Sequence, residues 1–197
     1  MFGGAFDPPH NAHVALVQAA MAQLQLDELR VVPTGHAWHK ARVLTPARHR
    51  LAMTRLAFAG LPGVVVDDRE MHRSGPSYTL DTLREFAAEQ PGARLYLVMG
   101  EDQADALPSW HGWQDILPIA TISIAEREHP TRDDAGFDPA KFPQGRFETL
   151  RWPPMPVSAT QIRALTAKPH NTAQEIAELV PGPVARYIEH HHLYLAT

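Results

Sequence analysis

The chain of 197 residues contains no cysteine, which excludes disulfide bridges and thiolate catalysis. It has no apolar run of the ~18 residues that a membrane-spanning helix needs, and no basic stretch followed by an apolar one near its start. Lys and Arg number 18 against 22 Asp and Glu, so no basic surplus points to nucleic acid or to an anionic membrane. We expect a cytoplasmic protein that binds neither nucleic acid nor membranes.

Strand-like and helix-like segments alternate along the chain. Short apolar runs predict strands at 26–34, 63–68, 93–100 and 120–126, after a first strand that ends at Phe2-Gly3-Gly4. Periodic apolar positions predict helices at 11–26, 45–60, 77–92, 101–117 (broken at Pro108), 158–167, 173–180 and 183–194. Thr45 and Ser158 are the predicted N-caps of the helices at 45–60 and 158–167. Residues 127–147, with three prolines and two glycines, are interpreted as a loop.

The alternation predicts an α/β fold with a doubly wound parallel sheet and ligands at the carboxyl ends of the strands. We expect a single domain over 1–197 whose part from 158 to 197 is helical. Only Met1 and Phe2 precede the first glycines, whereas a strand usually has about five residues. We therefore expect the native chain to begin upstream, which N-terminal sequencing of the native protein would test.

Residues 3–13 read GGAFDPPHNAH and combine glycines, prolines and histidines at a helix start. Gly3 and Gly4 let the backbone approach a ligand closely. His10 and His13 flank the predicted helix N-terminus, where unpaired N–H groups and a partial positive charge favour anions. This combination indicates a phosphate site. A zinc site is the weaker interpretation, because the chain has neither cysteine nor an HExxH motif.

Two segments resemble the signatures of the nucleotidyltransferase superfamily. GGAFDPPHNAH resembles GGTFDPxHxGH, and VSATQIR at 157–163 resembles ISSTxIR, in the same order along the chain. Between them and beyond, further segments resemble those of one branch, the bacterial nicotinate-nucleotide adenylyltransferases. These are WHK at 38–40, GPSYTLDTL at 75–83, MGEDQ at 99–103 followed by Trp110, and VARYIEHHHLY at 184–194.

The resemblance implies a Rossmann-like nucleotidyltransferase fold and one reaction. Nicotinate mononucleotide attacks the α-phosphorus of ATP directly, giving nicotinate adenine dinucleotide and pyrophosphate in NAD biosynthesis. It also implies Mg²⁺ bound through the ATP phosphates, with no protein metal ligands expected. Such a reaction requires alignment of two anions and stabilisation of developing charge, rather than a nucleophilic side chain.

The resemblance also assigns the site residues. For catalysis it implies His10, His13, Lys40 and Arg163. For ATP binding it implies Gly3, Gly4, Ala5, Phe6, His10, His13, Gly100, Asp102, Ser158, Thr160 and Arg163. For binding of the second substrate it implies Thr34, Lys40, Thr79, Asp102, Trp110 and His111, with the pyridine ring stacked on Trp110.

The chain departs from the family pattern at several positions. Ala12 replaces the last signature glycine, and Ala5 replaces a threonine. Thr34 stands where the family often has asparagine, which puts the geometry of the loop that carries Lys40 in doubt. His36, Trp38 and His39 in that loop have the composition of a lid. His190, His191 and His192 are interpreted as structural or solvated.

Other functions stay open at this point. A sister enzyme would use the amide nucleotide or phosphopantetheine, although SYTLDTL and Trp110 argue against the latter. A nucleotide-binding regulator would bind ATP without releasing pyrophosphate. A histidine-rich metal-binding protein would carry zinc or nickel. The oligomeric state does not follow from the sequence.

Overall fold

A computed structural model describes residues 1–35, 43–126, 137–152, 155–168 and 173–195, the side chains of Ala173 and Gln174 excepted. Several predicted features lie outside the described residues: Lys40, the proposed lid residues His36, Trp38 and His39, and positions 127–136 of the predicted loop.

The described part of the chain forms one sheet of parallel strands. The strands are β1 (Phe2–Gly4), β2 (Leu29–Pro33), β3 (Val64–Val66), β4 (Leu95–Gly100), β5 (Ala120–Glu126) and β6 (Arg146–Arg151). Their order across the sheet is β3-β2-β1-β4-β5-β6, and every neighbouring pair is parallel. This order is that of a doubly wound α/β sheet, so the predicted fold class is confirmed.

Helices connect the strands and cover the sheet. They are α1 (Asn11–Gln23), α2 (Ala47–Phe58), α3 (Thr79–Glu89), α4 (Glu101–Asp105), α5 (Trp113–Ile119), α6 (Ala159–Thr166), α7 (Ala173–Ile176) and α8 (Gly182–His190). Short 3₁₀ turns lie at Arg69–His72, Leu107–Ser109 and Pro139–Lys141. None of the helices in the described ranges is long and apolar enough to cross a membrane.

The centre of the sheet is buried on both faces, which explains the continuous apolar run of β4. Val98 of β4 packs into a core on the face that includes Val17 of α1. Leu97, its neighbour in the chain, points to the other face and packs into a second core with Leu83 of α3. Consecutive strand residues alternate between faces, so a strand between two helical layers needs apolar side chains at both positions.

The strand order reverses between β1 and β4. From β1 the chain moves outward to β2 and β3, and after β4 it moves in the opposite direction to β5 and β6. The loops that follow β1 and β4 therefore diverge and leave a crevice at the carboxyl edge of the sheet. The GGAFDPPHNAH segment and the GEDQ segment both begin at that crevice.

Two local predictions were wrong. Strand β6 was not predicted; it pairs with β5 from Thr121↔Arg146 to Glu126↔Arg151, and its first two residues fall in the segment interpreted as a loop. Thr45 does not cap α2, which begins at Ala47 with Pro46 at the cap position. The backbone N–H of Thr45 instead donates to the carboxylate of Asp7 at 3.2 Å.

Candidate active site

A cavity of about 550 Å³ opens at the crevice between β1 and β4. Most residues predicted for the site line it: Gly3, Gly4, Ala5, His10, His13, Thr34, Thr79, Gly100, Asp102, Trp110, His111 and Ser158. The loops after β1, β2 and β4, the start of α3 and the start of α6 all contribute. The structure thus brings segments from both ends of the chain to one place.

His10 and His13 lie at the start of α1, where the sequence predicted them. His10 is the N-cap residue and His13 is the third residue of the helix. The backbone N–H of His10 donates to Nδ1 of His13 at 3.1 Å, and the two rings stack with centroids 3.6 Å apart. Because Nδ1 of His13 accepts a hydrogen bond, this assignment puts the proton of a neutral His13 on Nε2.

Phe6 differs from Gly3, Gly4 and Ala5, which line the cavity. Its side chain is 2% exposed and does not line the cavity among the described residues. Its ring packs edge-on against Phe2, His13 and Phe58, with centroids 5.1 to 6.0 Å apart. Its φ of 46° lies in the left-handed region, which a bulky residue adopts only when its surroundings hold it there. Phe6 therefore anchors the loop to the core beneath the cavity.

Asp7 connects the same loop to three distant segments. It is 1% exposed, and its carboxylate accepts hydrogen bonds from the backbone N–H of Thr45 at 3.2 Å and from the hydroxyl of Tyr194 at 2.7 Å. Its main-chain carbonyl accepts a bond from Nη1 of Arg163 at 2.8 Å. These contacts fix the loop that carries Asp7.

The second signature segment supplies a helix start on the other side of the crevice. Ser158 caps α6 as predicted, and its Oγ accepts from the backbone N–H of Gln161 at 3.2 Å. Arg163 donates from Nη2 to Oγ1 of Thr160 at 3.0 Å. Ser158 lines the cavity, whereas Thr160 and Arg163 are not among the described lining residues.

The opposite wall of the cavity is aromatic and polar. Thr79 is the first residue of α3, and Trp110 and His111 follow the 3₁₀ turn after α4. The ring of His111 stacks on Tyr78 with centroids 4.1 Å apart. Trp113 does not line the cavity and instead contacts Phe142, with centroids 5.6 Å apart. Trp110 therefore belongs to the cavity wall, whereas Trp113 packs against the second core.

Glu70 lines the cavity although the sequence did not single it out. Its side chain is 5% exposed and accepts a hydrogen bond from Oγ1 of Thr82 at 2.7 Å. Burial raises the pKa of Glu70, although this bond and the charge of Arg73 oppose the shift. The main-chain carbonyl of Glu70 lies against Gly35, where an added Cβ would be 2.0 Å from its oxygen. Only glycine fits at that contact.

Sequence reasoning also missed Arg50. Its side chain is 2% exposed, and its guanidinium donates to main-chain carbonyls of the loops after β1 and β2. The acceptors are Thr45 at 2.9 Å, Ala5 at 2.9 Å, Thr34 at 2.8 Å and Gly35 at 3.3 Å. One signal was available: Arg50 falls in register with the core-facing Met53, Thr54 and Ala57 of α2.

Comparisons with known proteins place the chain in a family. The cytidylyltransferase-like family matches residues 1–165. A protein of Albidiferax ferrireducens named "Probable nicotinate-nucleotide adenylyltransferase" is 61% identical over 98% of this chain and 96% of its own length. One of Methylibium petroleiphilum with the same name is 42% identical over 98% of this chain and 91% of its own.

Solved structures agree at the level of the fold. Nicotinic acid mononucleotide adenylyltransferase of Plasmodium falciparum, in a complex with NaAD, has a TM-score of 0.78 and 22% identity. The match covers 98% of this chain and 95% of that one. The same enzyme complexed with APC has the same TM-score, with 21% identity over 98% of this chain and 94% of that one. By its sequence matches, the chain belongs to the cytidylyltransferase-like family and, within it, to the nicotinate-nucleotide adenylyltransferases.

Proposed function

We propose that the protein transfers the adenylyl group of ATP to nicotinate mononucleotide, with release of pyrophosphate, in the biosynthesis of NAD. One observation carries the proposal: a single cavity joins the histidine pair at the start of α1, the Ser158 cap of α6 and the Thr79–Trp110–His111 wall. Two helix starts with imidazole and hydroxyl groups suit a polyphosphate. An indole face suits an electron-poor ring.

The phosphate side of the cavity would align ATP and stabilise the charge that develops on it. Its ligands are the backbone of Gly3, Gly4 and Ala5, the side chains of His10 and His13, and Ser158 with Thr160. In the tautomer that its Nδ1 bond selects, His13 presents an Nε2–H donor, which we assign to the α-phosphoryl oxygens in the transition state. Arg163 would contact the β- and γ-phosphates, its position set by Asp7 and Thr160.

The nicotinate nucleotide would occupy the opposite wall. Trp110 stacks on its pyridine ring, and Thr79 with the backbone around His111 binds its carboxylate. Asp102, after β4, binds ribose hydroxyl groups, and the neighbouring Gly100 belongs to the ATP side. Thr34 and Lys40 complete this side; Lys40, outside the described residues, would neutralise phosphate charge. The substrate's own phosphate oxygen is the nucleophile and is already ionised, so no strong general base is needed.

We propose that Mg²⁺ reaches the site on the ATP phosphates. The acidic side chains among the described lining residues are Glu70 and Asp102, and Glu70 already accepts a bond from Thr82. This donor set suits an ion that keeps its waters and phosphate ligands rather than one in a protein cage. When bound, the ion neutralises charge on the leaving pyrophosphate. We also propose that the protein acts in the cytoplasm.

The decisive experiment follows pyrophosphate release from ATP and Mg²⁺ with nicotinate mononucleotide or its amide in parallel. We expect release with the acid to exceed release with the amide by far. Release with the amide alone would keep the chemistry and reject the proposed acceptor. ATP binding without release would leave a nucleotide-binding protein.

A matched pair of tryptophan variants tests the acceptor wall in the same assay. Trp110→Leu should raise KM for nicotinate mononucleotide about tenfold, since stacking of a base on an aromatic ring contributes ~1–3 kcal/mol. Trp113→Leu removes the neighbouring indole, which contacts Phe142 outside the cavity, and should leave KM within about twofold. Equal effects of the two changes would contradict the placement of the pyridine ring.

A further inference from the structure

The last described residues of the chain return to the phosphate side of the cavity. After α8 the chain turns, and the hydroxyl of Tyr194 donates to Oδ1 of Asp7 at 2.7 Å across 187 positions of sequence. Tyr194 has a φ of 67°, a left-handed conformation that is unfavourable for a residue with a large side chain. The contact is therefore made in spite of a backbone cost, which indicates that the surrounding structure specifies it.

Asp7 is the residue through which this contact reaches the site. The same carboxylate accepts from the backbone N–H of Thr45, and the main-chain carbonyl of Asp7 accepts from Nη1 of Arg163. Asp7 also lies three residues before His10, in a loop whose neighbouring Phe6 is held in the core. A shift of Asp7 would therefore move both the histidine pair and the arginine.

The chemistry of the pair favours a fixed geometry. Asp7 is almost completely buried, and a buried carboxylate is stable only when hydrogen-bond donors surround it. Burial and the nearby Asp7 carboxylate raise the pKa of Tyr194 above its ordinary value, so the hydroxyl keeps its proton and remains a donor. Removal of this O–H would leave the carboxylate without one of its donors, and the loop would relax to recover one.

We propose that Tyr194 is a positioning residue of the adenylyl-transfer site, holding Asp7 and through it His10, His13 and Arg163 in the geometry that binds ATP. This inference rests on the proposed function and adds the segment after α8 to the machinery of the site. The Thr79–Trp110 wall lies next to the second core, which contains Leu80 and contacts Trp110, whereas α1 and α6 pack into the first core through Ala12 and Ile162. Loss of the hydroxyl should therefore affect ATP and leave the nicotinate nucleotide almost unaffected.

A single-atom change with a matched control tests the proposal. Tyr194→Phe removes only the hydroxyl. The control is Tyr187→Phe, which lies on α8 in the same terminal region. It removes a hydroxyl that is hydrogen-bonded to Nδ1 of His49 at 3.0 Å and not to Asp7. We expect Tyr194→Phe to lower kcat/KM for ATP about tenfold, as loss of an outer contact that orients a ligand group commonly does. KM for nicotinate mononucleotide should stay within about twofold, and Tyr187→Phe should change neither constant by more than that.

A second substitution shows whether the effect passes through Asp7. Asp7→Asn leaves one acceptor oxygen for two donors, the Thr45 N–H and the Tyr194 hydroxyl. In the Tyr194→Phe background only the first of these donors remains, so Asp7→Asn should cost less there than in the wild type. Full additivity of the two losses in kcat/KM would overturn the proposal.

Amide hydrogen exchange separates this inference from the proposed function. Tyr194→Phe should speed exchange in residues 5–13 relative to both wild type and Tyr187→Phe, with or without turnover. If the wild type releases no pyrophosphate, the proposed function fails, while this readout still decides whether Tyr194 holds the loop. Equal exchange and equal kinetics in the two tyrosine variants, or a loss of thermal stability in Tyr194→Phe with unchanged kcat/KM for ATP, would overturn the inference.

Discussion

The two ring nitrogens of His13 have different tasks, and substitutions can separate them. Nδ1 accepts the backbone N–H of His10 and stabilises the start of α1, whereas Nε2–H is assigned to ATP. His13→Ala removes both, so we expect kcat to fall by ~100-fold or more, as for other lost transition-state donors. The free energy of unfolding should fall by about 1 kcal/mol, as for a lost helix cap. Steady-state kinetics and urea unfolding measure the two effects.

His13→Gln is the control for this residue. At the third helical position a glutamine side chain accepts the N–H of the cap residue, so it can replace Nδ1 but not the imidazole donor. We expect near wild-type stability with a kcat as low as that of His13→Ala. Recovery of kcat together with stability would mean that His13 acts only as a cap.

One buried cation, Arg50, connects helix α2 to the loops after β1 and β2. Arg50→Met leaves main-chain carbonyls of those loops without their donor, and each unpaired buried group costs ~1–3 kcal/mol. We expect the free energy of unfolding to fall by about 3 kcal/mol or more in chemical denaturation. Arg50→Lys should recover part of this, because an ammonium group keeps the charge but cannot match the planar fork.

Arg55 on the same helix provides the matched control. Its guanidinium pairs with Asp68 at 3.0 Å, but 58% of its side chain is exposed. Arg55→Met should change the free energy of unfolding by no more than about 0.5 kcal/mol. Equal losses at the two positions would show that general effects of α2 substitution, and not the carbonyl contacts of Arg50, dominate.

Elements with strong local patterns could be predicted from the sequence, and elements defined by distant partners could not. The apolar run at 93–100 predicted β4, and the periodic apolar positions after His10 predicted α1. Burial of a strand on both faces, or of one helix face, imposes those patterns. Strand β6 has only Leu150 buried, so its sequence carries no apolar alternation. Its backbone pairing with β5 makes it a strand, which is a property of the sheet. The predicted start of α2 was two residues too early, because Pro46 has an extended ψ of 139° and the helix begins after it.

The candidate site shows the same division. Gly3, Gly4, His10, His13 and Ser158 stand in short segments whose spacing fixes a helix start, and all of them line the cavity. Arg50, Glu70 and Tyr194 act through contacts to main-chain carbonyls or to side chains of other segments. Contacts of this kind cannot be predicted from the spacing of residues within one segment. For Arg50 alone, an arginine among the apolar positions of α2 could have indicated a buried role.

At the scale of the whole molecule, one cluster of charged side chains connects three separate elements: β2, the end of β3 and α3. Arg69 pairs with Asp67 at 2.8 Å and with Glu89 at 2.7 Å, and Arg30 reaches Asp67 at 3.1 Å. Burial alone would raise the pKa of Asp67, but the hydrogen bonds and charges of Arg69 and Arg30 outweigh it and lower that pKa. The hydrogen bond from Arg69 likewise lowers the pKa of Glu89.

The lowered pKa of Asp67 makes its contribution depend on pH with a definite sign. A carboxyl whose pKa is lower in the folded protein stabilises it fully above the unfolded value, here 3.8, and loses that contribution as the pH falls through the folded value. We therefore expect Asp67→Asn to be destabilising above about pH 5, with the difference from wild type shrinking steadily below pH 3.8. Thermal unfolding of both proteins across that range measures the difference.

Asp115→Asn is the control, because it breaks an exposed pair in which the side chain of Asp115 is 62% exposed and that of Arg84 is 55% exposed. It should differ little from wild type at any pH. A difference for Asp67→Asn that persists unchanged in acid would mean that packing of the side chain, and not its charge, connects these elements.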